Sequence, residues 1–244
     1  MEEQDYGTTY RLEGDNWWFA GTRRMCMEWV ARCEPTGAIL DVGCGTGINL
    51  ESLGAMGAVT GVDLSATALE FCRERGHRTV VQGVGERLPF PDGSFDVVTA
   101  FGVVEHIEAD ADALVEWVRV LAPGGHLVVL TSAYQWLWSG HDVSNHHARR
   151  YTAPEFRALL ADAGLLDVRV SDVNTIIGIP IMLVRLIERA WLRGRPPKAR
   201  KDTGEVPGPV NRLLLGVLGL EARILRRRDL PFGISIAASG RRPR

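Results

Sequence analysis

At 244 residues the chain is long enough for one α/β domain with a substantial core and short for two. An apolar share of 45% and a charged share of 24% are ordinary for a soluble globular protein, and from the acidic, core-less start Met1-Glu2-Glu3-Gln4-Asp5 no signal peptide is expected. The net charge of −2 hides an asymmetry: residues 185–228 carry twelve Lys/Arg against four Asp/Glu, a balance of +8 that leaves −10 for the rest. Cys26, Cys33, Cys44 and Cys72 lack metal-ligand spacing, and Cys44 lies within a glycine turn, so reduced, packed thiols and a cytoplasmic setting are expected.

Tyr6, Tyr10, Trp17, Trp18 and Phe19 crowd the first twenty residues, ahead of a helix expected over 22–33. Such a cluster caps a sheet or closes over a ligand, and the second reading is favoured, with Trp18 facing an acceptor. Next, Ile39-Leu40-Asp41-Val42-Gly43-Cys44-Gly45-Thr46-Gly47 reads as a buried strand, a tight turn and the start of a helix over 48–55. Glycine there lets the backbone approach a ligand lying across the strand end. Dinucleotide binders space such glycines G-x-G-x-x-G. Here the spacing is G-x-G-x-G after an acid, Asp41, which disfavours a pyrophosphate and favours a cation carrying an ammonium and a sulfonium. The next strand, 59–62, ends in Asp63, placed to accept from two ribose hydroxyls. A glycine turn without a ligand is the weaker reading because of that second acid.

A helix over 65–75 with Ser65 as its N-cap leads to a strand over 79–82. Gly83-Val84-Gly85-Glu86-Arg87-Leu88-Pro89-Phe90 follows, then a strand over 95–100 that ends in Phe101-Gly102-Val103-Val104-Glu105-His106-Ile107. Glu105 and His106 either face the site or support groups that do. A helix over 109–121 and Pro123-Gly124-Gly125 introduce the fifth strand, 126–131.

The loop over 132–151 holds three of the six histidines. His141 is the candidate base, with His146 and Tyr134 as further catalytic candidates. Trp138, Asp142, His147, Arg149, Arg150 and Tyr151 are assigned to the acceptor, the arginines being suited to an anion. A network that merely pins the loop is the alternative. A metal site on His141, Asp142 and His146 lacks a completing ligand cluster and is set aside.

Thr152 through Glu155 reads as a capping box for a helix ending near Gly164, followed by a strand over 168–171. Residues 176–191 are apolar on nearly all faces yet interrupted by Pro180, Arg185, Glu188 and Arg189, too broken to span a bilayer. A polar linker over 194–209, a basic amphipathic helix over 210–228 and a seventh strand over 232–239 complete the chain.

The glycine turn with Asp41 and Asp63, the segments 86–107 and 119–127, the Trp17-Trp18-Phe19 entry with Arg23-Arg24 and the H-D…H-H-x-R-R-Y loop together resemble the class I S-adenosylmethionine (SAM)-dependent methyltransferases, in a type 11-like subgroup. The resemblance covers nearly the whole chain. It implies a seven-stranded, Rossmann-like, doubly wound α/β sheet with an antiparallel last strand. The parts would be an N-terminal segment 1–36, a SAM-binding core 37–173, a helical insertion 174–230 and a last strand and tail 231–244. Asp41, Gly43, Gly45 and Gly47 would hold the methionine end, Arg23 its carboxylate and Asp63 the ribose. Leu64, Val84, Gly85 and Glu86 would lie along the adenine, and Phe101 and His106 beside the methionine end. One departure stands out: the acid that usually takes the adenine amino group is Val84 here, a loss of about 1–3 kcal/mol in cofactor binding.

Methyl transfer to an apolar or anionic small molecule is the expected function, with no nucleic acid and no metal involved. The rivals are a SAM-binding cyclase or decarboxylase on the same scaffold, and a membrane-surface or dimer-interface module built on 176–228.

Overall fold

A computed structural model describes residues 3–192, 195–200 and 204–244. Seven strands form one sheet in the order β3-β2-β1-β4-β5-β7-β6. They are β1 (Ala38–Val42), β2 (Ala58–Asp63), β3 (Val80–Gln82), β4 (Phe95–Phe101), β5 (Leu121–Ser132), β6 (Leu166–Val173) and β7 (Ser235–Arg241). β7 runs antiparallel between β5 and β6, and the pairings among β1 to β5 are parallel. The expected class I architecture is therefore present.

Both faces are covered, which is why the strands read as continuous apolar runs. Leu40, Val98 and Val129 point into one core, while their neighbours Ile39, Val97 and Val128 point into the other. On the first face lie α5 (Asp110–Val120) and α7 (Ala153–Asp162), with Trp117 and Phe156 fully buried. On the second lies α2 (Trp17–Ala31), contributing Met25, Cys26 and Trp29. α3 (Ile48–Gly54) and α4 (Ala66–Glu74) flank β2.

Two departures from expectation occur at the N-terminus. α2 begins at Trp17, not at residue 22, because the Asn16 side chain accepts from Trp18 N and caps it there. Glu3–Leu12 forms a helix of its own, α1, held by Tyr10, whose ring lies 4.7 Å from Phe71 of α4.

The insertion holds α8 (Thr175–Leu192) and α9 (Gly208–Leu225). Part of the expected linker, 194 and 201–203, lies outside the described residues. α9 runs along α2: Trp17 N donates to Asn211 Oδ1 at 2.7 Å, and Arg32 Nη2 donates to the Leu225 carbonyl at 2.6 Å. Gly21 makes the crossing feasible, since a Cβ there would sit 2.2 Å from Leu218 Cδ1. The N-terminal segment and the insertion thus form one continuous layer.

α8 leaves the sheet directly after β6, at the edge where β1, β4 and β5 also end. Its first N–H groups have no partner within the helix. The fully buried Glu221 of α9 supplies one, accepting from Thr175 N at 2.9 Å and Ile176 N at 3.0 Å, and the negative charge suits a helix N-terminus. Glu221→Ala should cost roughly 1–3 kcal/mol in urea unfolding. An unchanged midpoint would mean that α8 is held by packing alone. Among the described residues, no helix is long and apolar enough to cross a membrane.

Candidate active site

The glycine turn closes over the end of β1. Gly43 N and Cys44 N donate to the Val62 carbonyl at 2.7 and 3.0 Å. Gly43 has φ +67°, and a Cβ there would come within 2.5 Å of Val103 Cγ2. At Gly45, φ +54°, a Cβ would meet nothing within 4 Å. Open space therefore lies directly above the turn. Asp63 is aimed by two backbone donors, Gly45 N to Oδ2 and Ser65 N to Oδ1, each at 2.9 Å.

Asp41 is 1% exposed. Its Oδ1 accepts from Thr99 Oγ1 at 2.6 Å, whereas Oδ2 is buried without a partner. Burial pushes its carboxyl up to about 7, and Asp63 adds to the shift. A buried acceptor lacking a donor, next to a turn with room above it, fits a group bearing a cationic ammonium. Beyond Asp63, Leu64 is 67% and Val84 41% exposed. Gln82 Nε2 on the Leu64 carbonyl and Gly83 N on the Asp63 carbonyl bring the two together. They make an uncovered apolar ledge suited to an aromatic base. Glu86 is exposed, and the Gly85 carbonyl is taken by Trp117 Nε1 at 2.9 Å. Phe101 is half-buried at the end of β4.

A carboxylate not singled out from the sequence, Glu13, sits against the turn. It accepts from Thr46 Oγ1, and from Arg75 Nη2 at 2.7 Å. Burial pushes its carboxyl up, against the pull of these donors. Arg75 also donates to the Thr46 carbonyl at 3.0 Å and lies 4.3 Å over the Tyr10 ring. The N-terminal segment is thereby tied to the glycine turn. Arg23, expected at the ligand carboxylate, holds this segment by donating to the Glu13 and Gly14 carbonyls at 2.9 and 3.1 Å. Trp18 is half-buried, edge-on to Trp17.

The histidine loop contains a one-turn helix over 135–137 and a short helix, α6 (Gly140–Ser144). Several residues expected at an acceptor are consumed by the loop itself. Asp142 is 0% exposed and accepts from Ser139 N, Ser139 Oγ, His147 Nδ1 and both Arg150 Nε and Nη2, at 2.6–3.2 Å. Tyr151 is packed in the core, with its hydroxyl on Asp110 Oδ2 at 2.8 Å, and Arg149 reaches the same carboxylate at 3.0 Å. Asp142, His147, Arg150 and Tyr151 therefore help to build the loop, and Arg149 is tied to Asp110 through Nη1 with its side chain half exposed. Asp142's donors also leave it unavailable to a metal shared with His141 and His146.

Glu105 likewise serves the frame. Its carboxylate accepts from Thr131 Oγ1 and Ser132 Oγ at 3.0 and 3.2 Å, and its carbonyl from Ala148 N at 2.6 Å. His106 is exposed and edge-on to His147 at 4.7 Å, which in turn lies 5.9 Å from His141. The ring nitrogens of His141 lie 3.2 Å from Asn145 Nδ2. His146 is exposed with φ +56° and closes the turn after α6. Tyr134, also in the left-handed region at φ +57°, donates to Asp172 at the end of β6; burial pushes its hydroxyl up, which opposes a role as a base at neutral pH. Half-buried Trp136 lies 6.1 Å from Tyr134, and Trp138 is half-buried nearby in the chain.

A methyltransferase-domain family model matches residues 40–129, the stretch from within β1 into β5. A protein of Mycobacterium tuberculosis named "Probable S-adenosylmethionine-dependent methyltransferase" is 34% identical over 208 residues, spanning 80% of this chain and 76% of that protein. The chain belongs to the SAM-dependent methyltransferases. SAM is accordingly the cofactor of this methyltransferase, and the lone Asp41 oxygen and the space over Gly45 fit it. A ubiquinone biosynthesis O-methyltransferase of Xanthomonas axonopodis pv. citri is 32% identical over 171 residues, 62% of this chain and 70% of that protein. Among solved structures, a SAM-dependent methyltransferase of Thermotoga maritima, titled a possible histamine N-methyltransferase, superposes with TM-score 0.61 at 20% identity, covering 98% of this chain and 95% of that one. That likeness concerns the fold alone.

Proposed function

We propose that this methyltransferase acts on a small apolar acceptor, using His141 to take the acceptor's proton. The observation that carries the reading is the spent charge of the histidine loop. With Asp142, His147, Arg149 and Arg150 engaged by the chain itself, that loop presents Tyr134, Trp136 and Trp138 more than it presents an anion site. The naming of a similar protein as a ubiquinone biosynthesis O-methyltransferase supports the same class.

Asp41 and the turn 43–47 would hold the methionine end, Asp63 the ribose, and Leu64 with Val84 the adenine. SAM supplies a methyl already activated on a sulfonium. The chain's task is then to orient the acceptor for in-line attack and to remove its proton, worth about 10²–10⁴-fold for a placed base. Asn145 orients the imidazole, and the edge-on His147, fixed by Asp142, backs it.

His141→Ala should leave SAM affinity by calorimetry unchanged while lowering kcat by about 10²-fold or more on hydroxylated apolar aromatics, with little turnover on sugar phosphates. Full turnover in the variant across the pH range would remove His141 as base. Preference for the anionic acceptors would overturn the apolar reading.

A further inference from the structure

α8 is apolar around more of its circumference than a helix at the surface of a free-standing globule: Ile177 and Gly178 are buried against the protein, yet the outward side is aliphatic as well. Its inward side carries the charged pair Arg185 and Glu188, joined at 2.7 Å with Arg185 nearly enclosed, and Glu188 also meets Arg200 at 3.0 Å. Its outward side carries Ile176, Ile179, Leu183, Val184, Leu186 and Ile187, every one at least 39% exposed. Over 176–188 the two charges are thus turned toward the protein, and the solvent-facing surface is aliphatic. Ile187 is 70% and Trp191 84% exposed at the far end. So large an uncovered apolar face marks an interaction surface.

Charge identifies the partner. Where the apolar face ends, the exposed cations begin: Arg189 on the last turns of α8, then Arg195 and Lys198 in the segment that follows. On the neighbouring α9, the exposed residues Leu213 and Leu220 are interspersed with Arg212 and Arg223, and Arg227 follows just beyond its end. In an isologous dimer the same patch would face itself, setting these cations against one another. An anionic lipid surface instead complements both halves. Aliphatic side chains enter the acyl boundary, Trp191 sits at headgroup depth, and the cations meet phosphate. We propose that the outer face of α8, with the cations that border it, docks the methyltransferase on an anionic lipid bilayer, lying in the interface without crossing it. This surface is independent of the acceptor's identity. It also lies on the helix that springs from the site edge of the sheet, so docking would set that edge beside the membrane.

The test uses the full chain and sucrose-loaded vesicles of phosphatidylcholine, alone or mixed with phosphatidylglycerol. The chain should sediment with the mixed vesicles and not with phosphatidylcholine alone, and raising salt should weaken the binding steeply. Ile187→Asp, at a position too exposed to disturb folding, should reduce vesicle binding at least about tenfold with SAM affinity unchanged. Arg189→Glu should act in the same direction and flatten the salt dependence. Failure to sediment with either vesicle, equal sedimentation with both, or full binding by Ile187→Asp would overturn the proposal. So would a stable dimer in light scattering that Ile187→Asp dissolves, since a second copy would then own the face.

Discussion

Asp142→Ala should cost about 3–5 kcal/mol, because removing one member of a buried ionic network strands the others. The Arg150 side chain is 10% exposed and the His147 side chain 6%, so water cannot readily replace the carboxylate. The loop should then open. Proteolytic cleavage within 132–151 should accelerate and turnover should collapse, while SAM affinity stays near that of the parent because Asp41 and Asp63 lie outside this network. Burial raises the Asp142 carboxyl, but hydrogen bonds from His147 and Arg150 and the charge of Arg150 outweigh it and hold the group well below the usual carboxylate range. A depressed folded value means that the stabilisation is present above the unfolded carboxylate value near 3.9 and is lost as pH falls below it. Parent and variant should therefore converge in stability under acid and diverge at neutral pH. A variant as stable as the parent at pH 7, with an uncut loop, would show that the backbone and Tyr151 hold this region without the ion network.

The glycine turn was legible because its requirements are local. A strand ending in an acid, glycines at alternate positions and a helix start can all be read within nine residues, and the structure adds a bond that the sequence reading did not include, from Gly45 N to Asp63 Oδ2. The loop was harder. Its charges looked like a binding surface, since residue type alone does not say whether an arginine faces a ligand or a neighbouring carboxylate. One local signal was present: Ser139 and Asp142 have capping-box spacing, and the structure shows both reciprocal bonds. Glu13 left no such trace. Its partners Thr46 and Arg75 lie 33 and 62 residues away, and only the tertiary packing of α1 on α4 brings them together. For α8, apolar character could be read from the sequence but its direction could not. The side that faces the protein carries the buried Ile177 and Gly178 as well as the Arg185–Glu188 pair, and the outward side is aliphatic too, so apolar periodicity does not single it out.

Asp41→Asn should make the cofactor-free methyltransferase more stable at neutral pH and its SAM binding weaker. The folded carboxyl stands near 7 against an ordinary 3.8. Between those values the native state keeps a proton that the unfolded chain releases, so stability falls as pH rises through the window. A displacement of about three units corresponds to about 4 kcal/mol once pH exceeds 7. Asparagine retains an acceptor for Thr99 Oγ1 and carries no charge to desolvate, so the variant escapes that penalty. SAM binding should show the opposite sign. The ionised carboxylate is the form that pairs with an ammonium, so parent affinity should rise as pH increases through about 7, with proton release on binding. The variant should bind about tenfold or more weakly, as expected for a lost charge-assisted hydrogen bond, and should lack that component of the pH dependence. Comparing the two in calorimetry cancels any titration of SAM itself, which is common to both. An undiminished slope in Asp41→Asn would place the titrating group elsewhere. Equal stability of parent and variant at pH 8 would mean that Asp41 is solvated in the free protein and that its second oxygen does not wait for a cation.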